Sequence, residues 1–119
     1  MKDEIMWWMS RLTIMLTSLF LSFSLAAQAY AADITMGSNG NLVFEPNDLT
    51  INAGDTVTFT NGALPPHNMV VADHPELSHG DLAFAVGDSF DVTFTEAGDY
   101  NFQCDPHAGA GMKGVIHVK

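Results

Sequence analysis

Cysteine and positive charge are the two things that this chain nearly lacks. Its 119 residues include one cysteine, Cys104, and four Lys and Arg residues against 14 Asp and Glu residues. A lone thiol cannot form a disulfide within its own chain, so in an exported protein it must pair with another chain, be buried or bind a metal. Metal binding explains it best, because the metal keeps the sulfur as a thiolate and occupies its reactive lone pair.

Basic residues are especially scarce beyond the first 31 residues. Only Lys113 and Lys119 oppose twelve carboxylates there, since two of the 14 acidic residues, Asp3 and Glu4, come earlier. Such a surface repels phosphates, which argues against nucleic acid as a partner. It favours solubility and steers the chain towards basic patches on a partner protein, an effect that salt weakens.

Residues 1–31 have the pattern of an export signal. A basic head is followed by an apolar run over about residues 12–25, and Ala29-Tyr30-Ala31 offers the small-x-small pattern that signal peptidases cut. We therefore expect cleavage after Ala31, which leaves residues 32–119 as one small domain. The alternative is an uncleaved anchor, because the apolar stretch up to the cut approaches the roughly 20 residues that span a bilayer.

Helical periodicity is scarce after this signal, and alternating apolar residues predict an all-β sandwich. The clearest strands cover residues 49–51, 57–59, 90–94, 100–104 and 112–118, with turns at 52–55 and 96–99. Because Tyr100, Phe102 and Cys104 alternate, the thiol is expected to point inward. Residues 71–86 show no firm strand, although Leu77, Leu82 and Phe84 offer some apolar anchoring.

One loop collects three residues that bind soft metal ions. Cys104, His107 and Met112 follow closely on one another, and His67 stands far upstream. Two imidazoles, a thiolate and a weak axial thioether are the ligand set of a blue-copper electron-transfer centre. The sequence therefore predicts a copper site in a loop at the end of the sandwich, where the adjoining strands anchor it.

Other interpretations of these residues are weaker on chemical grounds. Methionine is a weak zinc ligand, and zinc carries no electrons. A Cys-His nucleophilic dyad normally draws its members from separate parts of the chain. A copper oxidase needs further copper centres, often joined by a His-Cys-His bridge, whereas Cys104 is flanked by Gln103 and Asp105. We expect no catalytic turnover, and we interpret the remaining histidines as surface or packing residues: His74, His79 and His117.

Together these motifs resemble the plastocyanins, small type 1 blue-copper proteins of oxygenic photosynthesis, and most of all their cyanobacterial members. The resemblance covers nearly all of residues 32–119. It rests on residues 41–46, 52–57, 64–68 and 77–79, and most specifically on Cys104-Asp105-Pro106-His107-Ala108-Gly109-Ala110-Gly111-Met112. It implies a cupredoxin-like Greek-key β-sandwich with one copper ion at one end, held by His67, Cys104, His107 and Met112.

The resemblance also implies a place of action and a docking surface. It implies a monomer that carries electrons in the thylakoid lumen from cytochrome f of the cytochrome b6f complex to photosystem I. Asn68 would tie the two ligand-bearing loops together. His107 would be the exposed edge of the copper site, within an apolar docking patch that includes Leu42, Pro66, Ala108 and Gly40.

Three departures from the family pattern leave the redox partners open. Gln103 stands where plastocyanins usually carry a tyrosine, Ala108 stands where cyanobacterial members often carry an arginine, and the interval from His67 to Cys104 is short. An amicyanin- or pseudoazurin-like carrier for a periplasmic enzyme is therefore the main alternative. A copper carrier or storage protein fits less well, because a closed four-ligand cage favours retention of the metal.

Overall fold

The computed structural model describes residues 30–119 and arranges them as a two-sheet β-sandwich, as the sequence predicts. The predicted export signal therefore lies almost wholly outside the described residues. Within residues 30–119, no helix is long and apolar enough to cross a bilayer. Two short 3-10 helices occur at Pro75–Leu77 and Asp105–Ala110. The strands in this part of the chain are β1 Ala31–Ser38, β2 Asn41–Glu45, β3 Asp48–Ile51, β4 Thr56–Asn61, β5 His67–Val71, β6 His79–Ala83, β7 Ser89–Thr93, β8 Gly98–Gln103 and β9 Lys113–Val118.

The strand order shows how the chain crosses between the two sheets. One sheet has the order β2-β1-β4-β7, and the other has the order β3-β9-β8-β5-β6. β1 is parallel to β4, and β3 is parallel to β9. Strands joined by short turns, such as β3 and β4 or β7 and β8, consequently lie in different sheets. Crossings of this kind are those of a Greek-key sandwich.

β4 illustrates why these residues form strands. Val57 and Phe59 are fully buried, and the threonines that alternate with them face outward, where β-branched side chains suit a pleated surface. Outward pairs add cross-strand contacts to β7: the hydroxyls of Thr56 and Thr93 lie 2.8 Å apart, and Thr58 Oγ1 donates to Asp91 at 2.6 Å. This alternation fixes which side of the strand enters the core.

Aromatic side chains join the two sheets across the core. Phe102 of β8 meets Phe44 of β2 edge to face, with ring centroids 4.7 Å apart, and meets Phe59 of β4 at 5.8 Å. Burial of each of these rings stabilises the fold by about 1.5–3 kcal/mol. At the start of β8, the Tyr100 hydroxyl donates to the carbonyl of Glu96 at 2.8 Å, the arrangement known as a tyrosine corner.

Residues 71–86 are more regular than the sequence indicated. They contain β6, which pairs antiparallel with β5 at Met69 and His79. Most of β6 is exposed, so its sequence carries no apolar alternation that could reveal it. The expected apolar anchoring is correct for Leu77, which packs against the core. It is wrong for Leu82 and Phe84, which are 41% and 68% exposed.

Candidate metal centre

Three donor atoms converge where β5 begins and β8 ends. Cys104 Sγ lies 3.7 Å from His67 Nδ1 and 3.5 Å from His107 Nδ1. A first-row ion such as zinc lies about 2.3 Å from sulfur and about 2.0 Å from nitrogen, which separates S and N by about 3.7 Å in a trigonal site. The spacing therefore fits a single metal ion. Among the described residues, these three form the only cluster of His, Cys, Asp and Glu side chains suited to a metal.

The backbone of residues 104–112 closes on itself, so that the loop's two ends meet. The N–H of Cys104 donates to the carbonyl of Met112 at 3.1 Å, and the N–H of Met112 donates to the carbonyl of His107 at 3.3 Å. Gly111 makes the reversal with a φ of +86°, a conformation that suits glycine. Met112 is fully buried, and this closed loop brings its backbone next to that of Cys104.

The tautomer of His67 follows from its second ring nitrogen. Nε2 lies 2.7 Å from the carbonyl oxygen of Ala63, and a carbonyl can only accept, so Nε2 carries the hydrogen. Nδ1 is then left with a free lone pair directed towards Cys104. Sequence analysis did not identify Ala63, because a backbone carbonyl leaves no mark in the residue types.

Asn68 connects the strand that carries His67 to the loop that carries the other donors. Its Oδ1 accepts the N–H of Asp105 at 2.8 Å, and its Nδ2 donates to the carbonyl of Gly80 at 3.0 Å. The side chain is 3% exposed. These contacts link β5 to the start of the 104–112 loop and to β6.

Burial also sets the electrostatics of these side chains. Burial raises the pKa of the Cys104 thiol, while backbone hydrogen bonding from Asn68 and His107 acts in the opposite direction. Burial lowers the pKa of His107, and the His67 imidazole lowers it further. Both effects keep His107 neutral and able to donate a lone pair, whereas the thiol needs a bound cation to hold it as thiolate.

The remaining histidines lie outside the cluster, and each has its own neighbour. His74 Nδ1 contacts Glu76 at 2.8 Å, and His79 stacks on Phe90 with ring centroids 3.9 Å apart. His117 lies between Asp48 and Asp99. These contacts agree with the interpretation of the three as surface or packing residues.

The end of the sandwich that holds this cluster also carries exposed apolar side chains that sequence analysis did not assign to the site. Leu64, Phe84 and Val86 are 50%, 68% and 73% exposed. Phe84 and Val86 follow β6 directly after Ala83, which pairs with His67, so their loop leaves β6 at this end. Leu42, Pro66 and Ala108 of the predicted docking patch are partly buried, and Gly40 is exposed.

Comparison with known proteins agrees with this geometry. Residues 31–119 match the family model for copper binding proteins of the plastocyanin/azurin family. The chain is 45% identical over 103 residues to chloroplastic plastocyanin of Hordeum vulgare, covering 79% of this chain and 66% of that protein. It is 45% identical over 98 residues to plastocyanin of Scenedesmus fuscus, covering 73% and 100%.

Solved structures show the same relationship. The oxidised plastocyanin of Dryopteris crassirhizoma has a TM-score of 0.66 and 33% identity, covering 74% of this chain and 100% of that one. Pseudoazurin of Methylobacterium extorquens AM1 has a TM-score of 0.56 and 28% identity, with 74% of each chain covered.

Fold and donor set together define a cupredoxin, a class whose members carry single electrons on one type 1 copper ion. This chain belongs to the plastocyanin/azurin family of copper-binding proteins, and its cofactor is one type 1 copper ion.

Proposed function

We propose that this chain is a soluble one-electron carrier that cycles between Cu(I) and Cu(II), with His67, Cys104, His107 and Met112 as the copper ligands. The convergence of Cys104 Sγ with Nδ1 of both histidines carries the proposal. Copper supplies the redox chemistry when bound, because it accepts and releases one electron. We expect no catalytic turnover.

The protein contributes a cage that stays the same in both oxidation states. His67, Cys104 and Met112 are fully buried, so water is kept from most of the site. The hydrogen bonds from the Asp105 N–H to Asn68 and from His67 to the Ala63 carbonyl hold the donors in place before any metal binds. A pre-organised site changes little when an electron arrives or leaves, which favours fast transfer.

Electrons pass through the edge of His107 in this proposal. It is the donor that remains partly exposed, whereas the other three are buried. The docking patch of Leu42, Pro66, Ala108 and Gly40 lies at the same end, because the turn after β1 and the segment after β4 both emerge there. Leu64, Phe84 and Val86 enlarge this apolar surface, which suits brief docking on a partner with an apolar contact area.

The proposed route runs from cytochrome f of the cytochrome b6f complex to photosystem I, in the thylakoid lumen after export. It is supported by relatives named chloroplastic plastocyanin, which are about 45% identical to this chain. The second candidate is a periplasmic carrier for another enzyme, which the structural similarity to pseudoazurin favours.

The copper proposal is tested by visible and electron-spin-resonance spectra of the protein with one equivalent of Cu(II). An intense blue thiolate-to-copper band with narrow hyperfine splitting, lost on reduction, is expected. Cys104→Ser should abolish the band, and His117→Gln, outside the cluster, should leave it unchanged. A pale complex without the charge-transfer band would contradict the proposal.

The route is tested by electron-transfer rates with purified cytochrome f and with photosystem I. Ala108→Glu places a charge inside the docking patch, and Ala97→Glu places the same charge in the turn before β8, at the opposite end. The first should slow both reactions at least several-fold, while the second leaves them nearly unchanged. Slow transfer by the unaltered protein to both partners would favour the periplasmic candidate.

A further inference from the structure

Asp55 is a buried carboxylate immediately before β4. Its side chain holds two segments: Oδ2 accepts the backbone N–H of Asn52 at 2.8 Å, and Oδ1 accepts that of Tyr30 at 3.0 Å. Only 6% of the residue is exposed. The first contact closes the turn between β3 and β4, and the second secures the chain just before β1.

No cationic side chain neutralises Asp55 within residues 30–119. The ion pairs in this part of the chain are all formed by histidines, and they involve Glu76, Asp48 and Asp99. An ionised carboxylate removed from water is costly unless an opposite charge accompanies its hydrogen bonds. The backbone nitrogen of Tyr30 is the one neighbour that would acquire such a charge if the chain began there.

Tyr30 belongs to the folded domain through its backbone. Its carbonyl accepts the N–H of Thr56 at 3.1 Å, and β1 pairs with β4 from Ala31 onward. Cleavage after Ala31 would remove Tyr30 and Ala31, and with them the contact between the Tyr30 N–H and Asp55. Cleavage after Ala29 would keep both residues and this contact.

The sequence offers a second triplet for signal peptidase at the required place. Ala27-Gln28-Ala29 is also small-x-small, and it ends at the residue before Tyr30. We infer that the leader is removed between Ala29 and Tyr30, and that the α-ammonium group so formed pairs with Asp55. The inference rests on the proposed export, and it places the cut two residues before the position expected from sequence.

Cleavage itself generates the missing charge. Water hydrolyses the Ala29–Tyr30 peptide bond, which leaves a carboxylate on Ala29 and an ammonium group on Tyr30. The amide N–H that donates to Asp55 at 3.0 Å then becomes an ammonium donor, which adds the attraction of two opposite charges to the hydrogen bond. Processing would therefore complete the ion pair and tighten the β1 edge.

The position of the cut is tested by expressing the full precursor in a bacterial host and measuring the intact mass of the exported product. We expect a chain that begins at Tyr30. Ala27→Leu should abolish or displace the cut, while the matched Ala31→Leu, at an exposed strand position, should leave it unchanged. A product that begins at Ala32 would overturn the inference but not the proposed export. An uncleaved product would overturn both.

The ion pair is tested by the rate at which the exported protein's N-terminal amine reacts with an acylating reagent at neutral pH. Pairing keeps the amine protonated, so we expect several-fold slower reaction in the native state than in denaturant. Asp55→Asn should restore much of the rate, and Asp33→Asn, an exposed position on β1, should not. Equal native and denatured rates would exclude the pair, even if Asp55→Asn did not fold.

Discussion

Gly37 lies directly against the carbonyl that orients His67. A Cβ at this position would overlap the oxygen of Ala63 and would lie 2.7 Å from His67 Nε2. The φ of Gly37 is +81°, so its backbone also favours glycine. The absence of a side chain on β1 is therefore what lets the segment before β5 approach and fix the imidazole.

Gly37→Ala should destabilise the protein and disturb its copper spectrum, because Ala63 and His67 would have to move. Gly54→Ala is the matched control: its φ is +95°, but no atom lies within 4 Å of the added Cβ. The control should lose only about 1–2 kcal/mol of unfolding free energy to backbone strain and keep the blue band. Denaturant unfolding and visible spectra measure both effects, and equal losses in the two variants would contradict the role given to close contact.

Asn68→Ala should lower the free energy of unfolding by about 1–3 kcal/mol, because the N–H of Asp105 loses its acceptor. It should also speed the loss of copper to a chelator, since the ligand loop is no longer tied to β5. Asn101→Ala, the same truncation at an exposed position on β8, serves as the control. Unchanged copper loss in Asn68→Ala would show that the tie does not hold the site.

Met112→Leu should keep copper bound while changing its reduction potential, because the axial ligand tunes the potential and contributes little to binding. Potentiometric titration measures the shift. Met36→Leu makes the same change at a fully buried position on β1 and should leave the potential unaltered. Complete loss of metal from Met112→Leu would count against an axial role.

His117 should make stability depend on pH. Its hydrogen bond with Asp99, reinforced by Asp48, raises the pKa of His117 above 6.5. A raised native pKa means that the protonated form stabilises the fold. This contribution is fully present below the unfolded pKa of about 6.5 and is lost as pH rises through the native value.

The difference in unfolding free energy between the unaltered protein and His117→Gln should therefore be largest near about pH 6 and shrink towards about pH 9. Denaturant titrations at several pH values measure it. A difference that is constant, or that grows with pH, would exclude the two carboxylates as the cause.

Salt should slow electron exchange with a basic protein partner, because the acidic surface attracts it from a distance. Stopped-flow rates with a basic c-type cytochrome over a range of ionic strength measure the effect. Ferricyanide, a small anion, is the control and should react faster as salt rises. A rate with the cytochrome that does not change with ionic strength would exclude electrostatic steering.

The sequence predicted those parts of the fold that show a pattern among neighbouring residues. β4 and β8 alternate strictly, and the ligand loop gathers Cys104, His107 and Met112 within one short stretch. β6 was not predicted, because an edge strand exposed on most of its length needs no apolar alternation. Its existence depends on pairing with β5, which no local signal records.

The contacts that position His67 could not be predicted from the sequence either. Gly37 and Ala63 meet only after β1 and β4 align in parallel, and the contact uses a missing side chain and a backbone carbonyl. Phe84 was expected to anchor a loop inward, yet it is 68% exposed. Residue type alone does not tell a core phenylalanine from an exposed one.

The span between the donors gives the metal a second role. His67 and Cys104 are 37 positions apart, so an ion bound to both closes a large ring in a chain that cannot form an internal disulfide. A covalent cross-link of that span restricts the unfolded chain by about 4 kcal/mol of conformational entropy. The metal centre would thus also stabilise the fold as a cross-link between distant parts of the chain, and loss of the ion would open this ring as reduction opens a disulfide.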